Sequence, residues 1–125
     1  MIKFLNKDAS DKTLKWKEWE LQAYIIQEAR RAKYVVAGDM NAGKRNPGQA
    51  KATGILAGEP DMRFYLEGPR LVLIELKTKK GIVSEGQLKH HDKLKLFGFE
   101  VYTVFGESPV DAWEKTLNCL RKNVK

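Results

Sequence analysis

Residues 58–77 read GEPDMRFYLEGPRLVLIELK, and this stretch decides the fold. Met62 to Leu66 and Arg70 to Leu76 are apolar-rich runs separated by Glu67-Gly68-Pro69, the pattern of an antiparallel hairpin. Leu71-Val72-Leu73-Ile74 is apolar without a break, which suits a strand covered on both faces. Asp61 stands where the chain enters the first strand and Glu75 toward the end of the second. A tight hairpin sets the start of one strand beside the end of the other, so the two carboxylates converge at one end of the sheet. Glu75 and Lys77 are two residues apart and share a strand face.

Upstream, helical periodicity predicts a helix from about Ser10 or Asp11 to Arg31, with Trp16, Trp19, Ala23 and Ile26 as its apolar face. Glu18 and Gln22 stack one turn apart beside that face, whereas Glu20 and Glu28 are expected toward solvent. A short strand follows at Tyr34 to Ala37. From Gly38 to Pro60 the chain is rich in glycine and carries Lys44, Arg45 and Lys51, with a short helix expected around Gln49 to Leu56. Long connections of this kind are often functional.

Downstream, Ser84 opens a second helix that Gly98 stops, with Leu88, His91, Leu94 or Lys95, and Leu96-Phe97 along it. Glu100 to Phe105 reads as a strand. Ser108-Pro109-Val110-Asp111 then marks the start of a last helix, with Val110, Trp113, Leu117 and Leu120 as its buried stripe. The order helix, three strands, helix, strand, helix predicts one α/β domain over residues 1–125, a mixed central sheet flanked by helices.

The composition narrows the function. The 125 residues carry 23 Lys+Arg against 16 Asp+Glu, a formal charge of +7 that suits a polyanionic partner. No apolar run approaches the roughly 20 residues of a membrane span, and the first fifteen or so show no secretory leader, so an intracellular protein is expected. Cys119 is the single cysteine, which excludes an intrachain disulfide and a cysteine-based metal cage.

Two carboxylates and an ammonium group on one face suit an oxygen-ligated hard cation such as Mg²⁺, which neutralises phosphate charge and lowers the pKa of a bound water. Each residue also has a plainer reading. Glu75 and Lys77 fit an exposed ladder pair, Asp61 fits turn chemistry after Pro60, and Ser84-x-x-Gln87 fits a capping box. His90-His91 point about 100° apart on a helix and read as surface or boundary residues. The three tryptophans lie on apolar stripes and read as core.

Pro60-Asp61 with Glu75-Leu76-Lys77 matches the PD-(D/E)XK nuclease signature, and the surrounding residues resemble one branch of it, the VRR-NUC domain in its small stand-alone phage form. The match runs through Glu18 with Gln22, Asn41-Ala42-Gly43-Lys44-Arg45, Gly58-Glu59-Pro60-Asp61, Ile74-Glu75-Leu76-Lys77, Gly81-Ile82-Val83-Ser84-Glu85-Gly86-Gln87 and Gly98. It departs at Glu59, where a small or apolar residue is usual, and at Ala42, where glycine is common. The resemblance implies a restriction-endonuclease-like αβββαβ core with a C-terminal helix. It implies Asp61, Glu75 and the Leu76 carbonyl as ligands of Mg²⁺ or Mn²⁺, Lys77 as the catalytic lysine, and Glu18 and Gln87 as assisting groups. It also implies a homodimer that cuts branched DNA such as Holliday junctions. Beside such a site Lys79, Lys80 and Lys89, with Lys44, Arg45 and Lys51, are expected to track the nucleic-acid backbone.

Overall fold

The computed structural model describes residues 1–38, 54, 56 and 58–122. The expected short helix near Gln49 to Leu56, and Lys44, Arg45 and Lys51, lie outside them or almost wholly so.

The sheet is built around the hairpin that the sequence announces. β4 (Met62–Leu66) pairs antiparallel with β5 (Arg70–Thr78), in a register that sets Met62 opposite Ile74. β3 (Val35–Gly38) adds antiparallel to β4, and β6 (Glu100–Gly106) adds parallel to β5, giving a mixed sheet in the order β3-β4-β5-β6. β5 is central, and all five residues from Val72 to Leu76 are buried, as its continuous apolar run requires. The parallel step from β5 to β6 is made through α2 (Glu85–Leu96).

Alternation along β5 divides its residues between two environments. Val72, Ile74 and Leu76 join Met62, Phe64 and Val36 in the apolar core, which is closed by Leu21, Ile25 and Ala29 of α1 (Glu18–Arg31). Ala112, Cys119 and Leu120 of α3 (Pro109–Leu120) complete it. Burial of each large member contributes about 1.5–3 kcal/mol. Glu75, on the alternate positions of β5, meets α2 instead, through Gln87.

Three helix expectations need correction. α1 begins at Glu18, not at Ser10 or Asp11, because short polar side chains capture the backbone first. Asp8 accepts from the Ser10 amide at 3.0 Å and hydroxyl at 2.7 Å, and Asp11 accepts from the Thr13 amide at 2.8 Å and hydroxyl at 2.6 Å. Residues 3–8 instead form a small hairpin, β1 (Lys3–Phe4) with β2 (Lys7–Asp8).

The buried face of α1 is Leu21, Tyr24, Ile25 and Ala29; Trp19 is 57% exposed, and Trp16 is buried from the segment before the helix. Glu20 is also buried, not solvent-facing. Its Oε1 accepts the Lys17 amide at 2.9 Å, closing the helix start, and its Oε2 takes the Lys7 ammonium at 2.8 Å. In α3 the buried stripe is Ala112, Thr116, Cys119 and Leu120, while Val110, Trp113 and Leu117 are half-buried. The Ser108 cap and Pro109 start stand as expected, with Ser108 Oγ accepting the Asp111 amide at 3.1 Å.

α2 is the least covered helix. Ser84 caps it, and Gly98 follows it at φ +100°, a left-handed conformation that glycine adopts without a Cβ clash. Among its residues only His91 is buried, leaving Leu88 and Leu96 exposed.

Candidate metal and phosphodiester site

The β4–β5 register carries Asp61, one residue before Met62, to the level of Glu75, one residue after Ile74. Asp61 Oδ2 accepts the Leu76 amide at 2.7 Å, which ties the entry of β4 to the end of β5. Glu18, in the first turn of α1, reaches the same place: one oxygen from each of Glu18, Asp61 and Glu75 lies within 4.8 Å of the others. Glu20, the alternative acid on α1, is spent on the helix cap and Lys7.

Glu75 is the innermost of the three, with a side chain 1% exposed. Its Oε2 accepts from Gln87 Nε2 at 2.9 Å and lies 3.6 Å from Lys77 Nζ. Its Oε1 is, among the described residues, the buried side-chain oxygen or nitrogen with no hydrogen-bond partner. Burial, then the Asp61 charge and a hydrogen bond with Asp61, push the Glu75 carboxyl up to about 8, against the opposing pull of Lys77. Glu18 is raised as well, first by burial and then by Asp61. Glu18, Asp61 and Glu75, the last with a buried oxygen unpartnered among the described residues, form a candidate cation site. An all-oxygen donor set fits Mg²⁺ or Mn²⁺ rather than a soft metal.

Gln87 closes the capping box at the start of α2 and also hydrogen-bonds Glu75. Its Oε1 accepts the Ser84 amide at 3.0 Å, while its N–H donates to Ser84 Oγ at 3.1 Å. Because Oε1 must face that amide, Nε2 is the atom turned to Glu75.

His91 overturns its reading as a surface or boundary residue. It is 3% exposed, and its Nε2 lies 3.1 Å from the Gly58 carbonyl and 3.7 Å from Glu75 Oε1. A carbonyl only accepts, so Nε2 carries the proton. Burial holds the imidazole below its usual value and keeps it neutral. His90 turns to the other side of the same turn, with Nε2 2.8 Å from Glu59 Oε1. Glu59 is thereby paired with His90 and stands outside the carboxylate cluster. Gly58 has φ +83°, and a Cβ there would sit 3.2 Å from the Gly86 carbonyl oxygen. The turn before Pro60-Asp61 is thus clamped to α2 from both sides. The i, i+4 spacing of Gln87 and His91 was the signal for this, since it sets both on one helix face.

Of the lysines expected near nucleic acid, Lys79, Lys80 and Lys89 are exposed. Lys79 Nζ donates to the Lys12 carbonyl at 2.8 Å, and Lys89 lies 3.3 Å from Glu85.

Neither the family models nor the curated proteins searched give a match to this chain. Among solved structures, one described as "VRR_NUC domain protein" superposes with a TM-score of 0.67 at 17% identity, over 86% of this chain and 92% of that one. Another, described as "VRR_NUC domain", gives 0.56 at 19% identity, over 81% and 94%. At such identities the likeness is one of architecture, and it agrees with the mixed sheet and helix order derived above: the chain has the fold of the VRR_NUC domain structures.

Proposed function

We propose that this protein is a divalent-metal-dependent endodeoxyribonuclease that hydrolyses phosphodiester bonds. The observation that carries this reading is the convergence of Glu18, Asp61 and Glu75 within 4.8 Å, with Lys77 3.6 Å from Glu75. Asp61, Glu75 and the Leu76 carbonyl would hold Mg²⁺ or Mn²⁺, with Glu18 supporting from α1. The ion, when bound, supplies charge neutralisation at the phosphate and a more acidic water. Lys77 Nζ directs its N–H groups at the attacking oxygen or at charge developing on the phosphate. Gln87 holds Glu75 in place, and the Asp61–Leu76 bond holds the two acids in register. The products are a 5′-phosphate and a 3′-hydroxyl.

Branched DNA, such as a Holliday junction, is the substrate class that the sequence resemblance favours. A homodimer places two such sites on two equivalent strands. Exposed Leu88, Leu96, Phe97 and Phe99, on α2 and just beyond it, support an interface with a second copy.

The test incubates labelled four-way, flap, nicked and linear DNA with the protein in Mg²⁺, Mn²⁺ or chelator, with light scattering for the oligomeric state. Metal-dependent cutting, greatest on the junction, is expected. Asp61→Ala and Lys77→Ala abolish cutting while binding persists. Binding without cutting in every metal overturns the catalytic reading, and equal cutting of linear duplex overturns the structural preference.

A further inference from the structure

The segment before α1 makes a feature of its own. Trp16 Nε1 donates to the Asp11 carbonyl at 2.7 Å, and Lys79 Nζ donates to the Lys12 carbonyl at 2.8 Å, so this non-helical arm is tied to the end of β5. Between the two lies a groove of about 510 Å³, lined by Lys15, Lys17, Lys79 and Lys80 over Leu14 and Trp16. Its acidic lining residue, Glu107, lies 3.7 Å from the Lys12 ammonium. Two of the groove's wall residues stand next in the chain to residues of the candidate site. Lys17 directly precedes Glu18, and Thr78, another wall residue, directly follows Lys77.

We propose that this groove seats a single DNA strand on one side of the phosphate to be cut, an assignment that rests on the nuclease reading above. Phosphates lie against Lys15, Lys17 and Lys80, and sugar and base edges rest on Leu14 and Trp16. Lys79 fastens the arm to β5. The groove's volume falls within the range of about 300–1,000 Å³ of clefts that hold small ligands, a size that suits part of a separated strand. Cationic side chains over an apolar floor match a strand's alternation of phosphate with sugar and base.

The experiment uses the full chain with Ca²⁺ in place of Mg²⁺ and a short fluorescein-labelled single-stranded deoxyoligonucleotide, titrated by anisotropy over a range of salt. Lys15→Gln with Lys80→Gln is expected to weaken binding about tenfold at low salt and to reduce the slope of log affinity on log salt by about 1.4, the loss of two phosphate contacts. Both side chains are exposed, so folding is retained. Arg30→Gln with Lys33→Gln, exposed residues in the last turn of α1 and just beyond it, removes the same charge as a control and is expected to lower binding less. Equal losses in the two pairs, or no loss in the first, overturn the groove assignment. Cleavage by the unsubstituted protein in Mg²⁺ is scored separately. Cutting with undisturbed binding in the groove variant removes the groove and leaves the nuclease reading. Selective loss of binding in a protein that never cuts upholds the strand site and removes the nuclease reading.

Discussion

Gln87 Nε2 lies 2.9 Å from Glu75 Oε2 while Gln87 Oε1, on the same amide, accepts the Ser84 backbone N–H at 3.0 Å. The cap of α2 and the innermost carboxylate of the site are therefore held by one side chain. Fixing the helix start fixes which atom of Gln87 faces Glu75, and the two roles separate by substitution.

Ser84→Ala removes the cap oxygen and leaves the amide that Gln87 accepts from. It should cost about 1 kcal/mol of stability in urea denaturation with cleavage per folded molecule little changed. Gln87→Ala should cost a similar amount and also lower metal affinity or cleavage by about 10–100-fold. Equal cleavage by the two variants contradicts the coupling.

The Glu75 carboxyl titrates near 8 in the folded chain against an ordinary value of 4.5. Between those values the folded chain keeps a proton that the unfolded chain releases. The metal-free protein should therefore lose stability as pH rises from about 4.5 to 8, by up to about 1.4 kcal/mol per pH unit, and level off above. Glu75→Gln should flatten that dependence and raise the melting temperature at pH 8. Thermal melts of both proteins in chelator, from pH 5 to 9, measure it.

The same proton must leave when a cation binds. Calorimetric titration with Mg²⁺ or Mn²⁺ in buffers of differing ionisation enthalpy should show proton release at pH 6.5 that vanishes above pH 8 or so, with affinity rising over the same interval. Release that is independent of pH would remove Glu75 from the ligand set.

His91→Ala should free the Gly58 carbonyl and loosen the turn that presents Asp61. We expect metal affinity to fall about 10-fold or more, with a stability loss of about 1–3 kcal/mol from the unpaired carbonyl and the vacated space. His90→Ala, which frees only the partly exposed Glu59, should fall well short of both effects.

Arg70 joins three elements away from the site. Its guanidinium pairs with both oxygens of Glu100, at 2.6 and 2.8 Å, and donates to the Leu120 and Cys119 carbonyls at the end of α3. Arg70→Ala should lower stability by about 2–4 kcal/mol, because a partly buried carboxylate and two helix-end carbonyls lose their donor. Urea denaturation measures the loss; a change below about 0.5 kcal/mol would contradict it.

Much of this was legible along the chain. The β4–β5 hairpin, the convergence of Asp61 with Glu75, the Ser84 and Ser108 caps and the stop at Gly98 each follow from local rules of turn, cap and alternation. The resemblance carried the expectation of Glu18 as a partner from α1. Helix periodicity, in contrast, left the phase and the start of α1 open. The repeat of Trp16, Trp19, Ala23 and Ile26 is as regular as that of Leu21, Tyr24, Ile25 and Ala29, and only the surface on which the helix rests selects between them. The start was displaced by Asp8 and Asp11, whose short side chains satisfy nearby amides before a helix can.

By itself, then, the sequence determined the order of the described elements from α1 onward and the hairpin that pairs two acids, because those depend on neighbours a few residues apart. Tertiary structure alone decided that Glu75 Oε1 is buried with no hydrogen-bond partner among the described residues, that His91 faces inward to Gly58, and that the arm before α1 walls a basic groove. Each of these depends on desolvation or on contact between segments distant in the chain, and neither is written in any local stretch of residues.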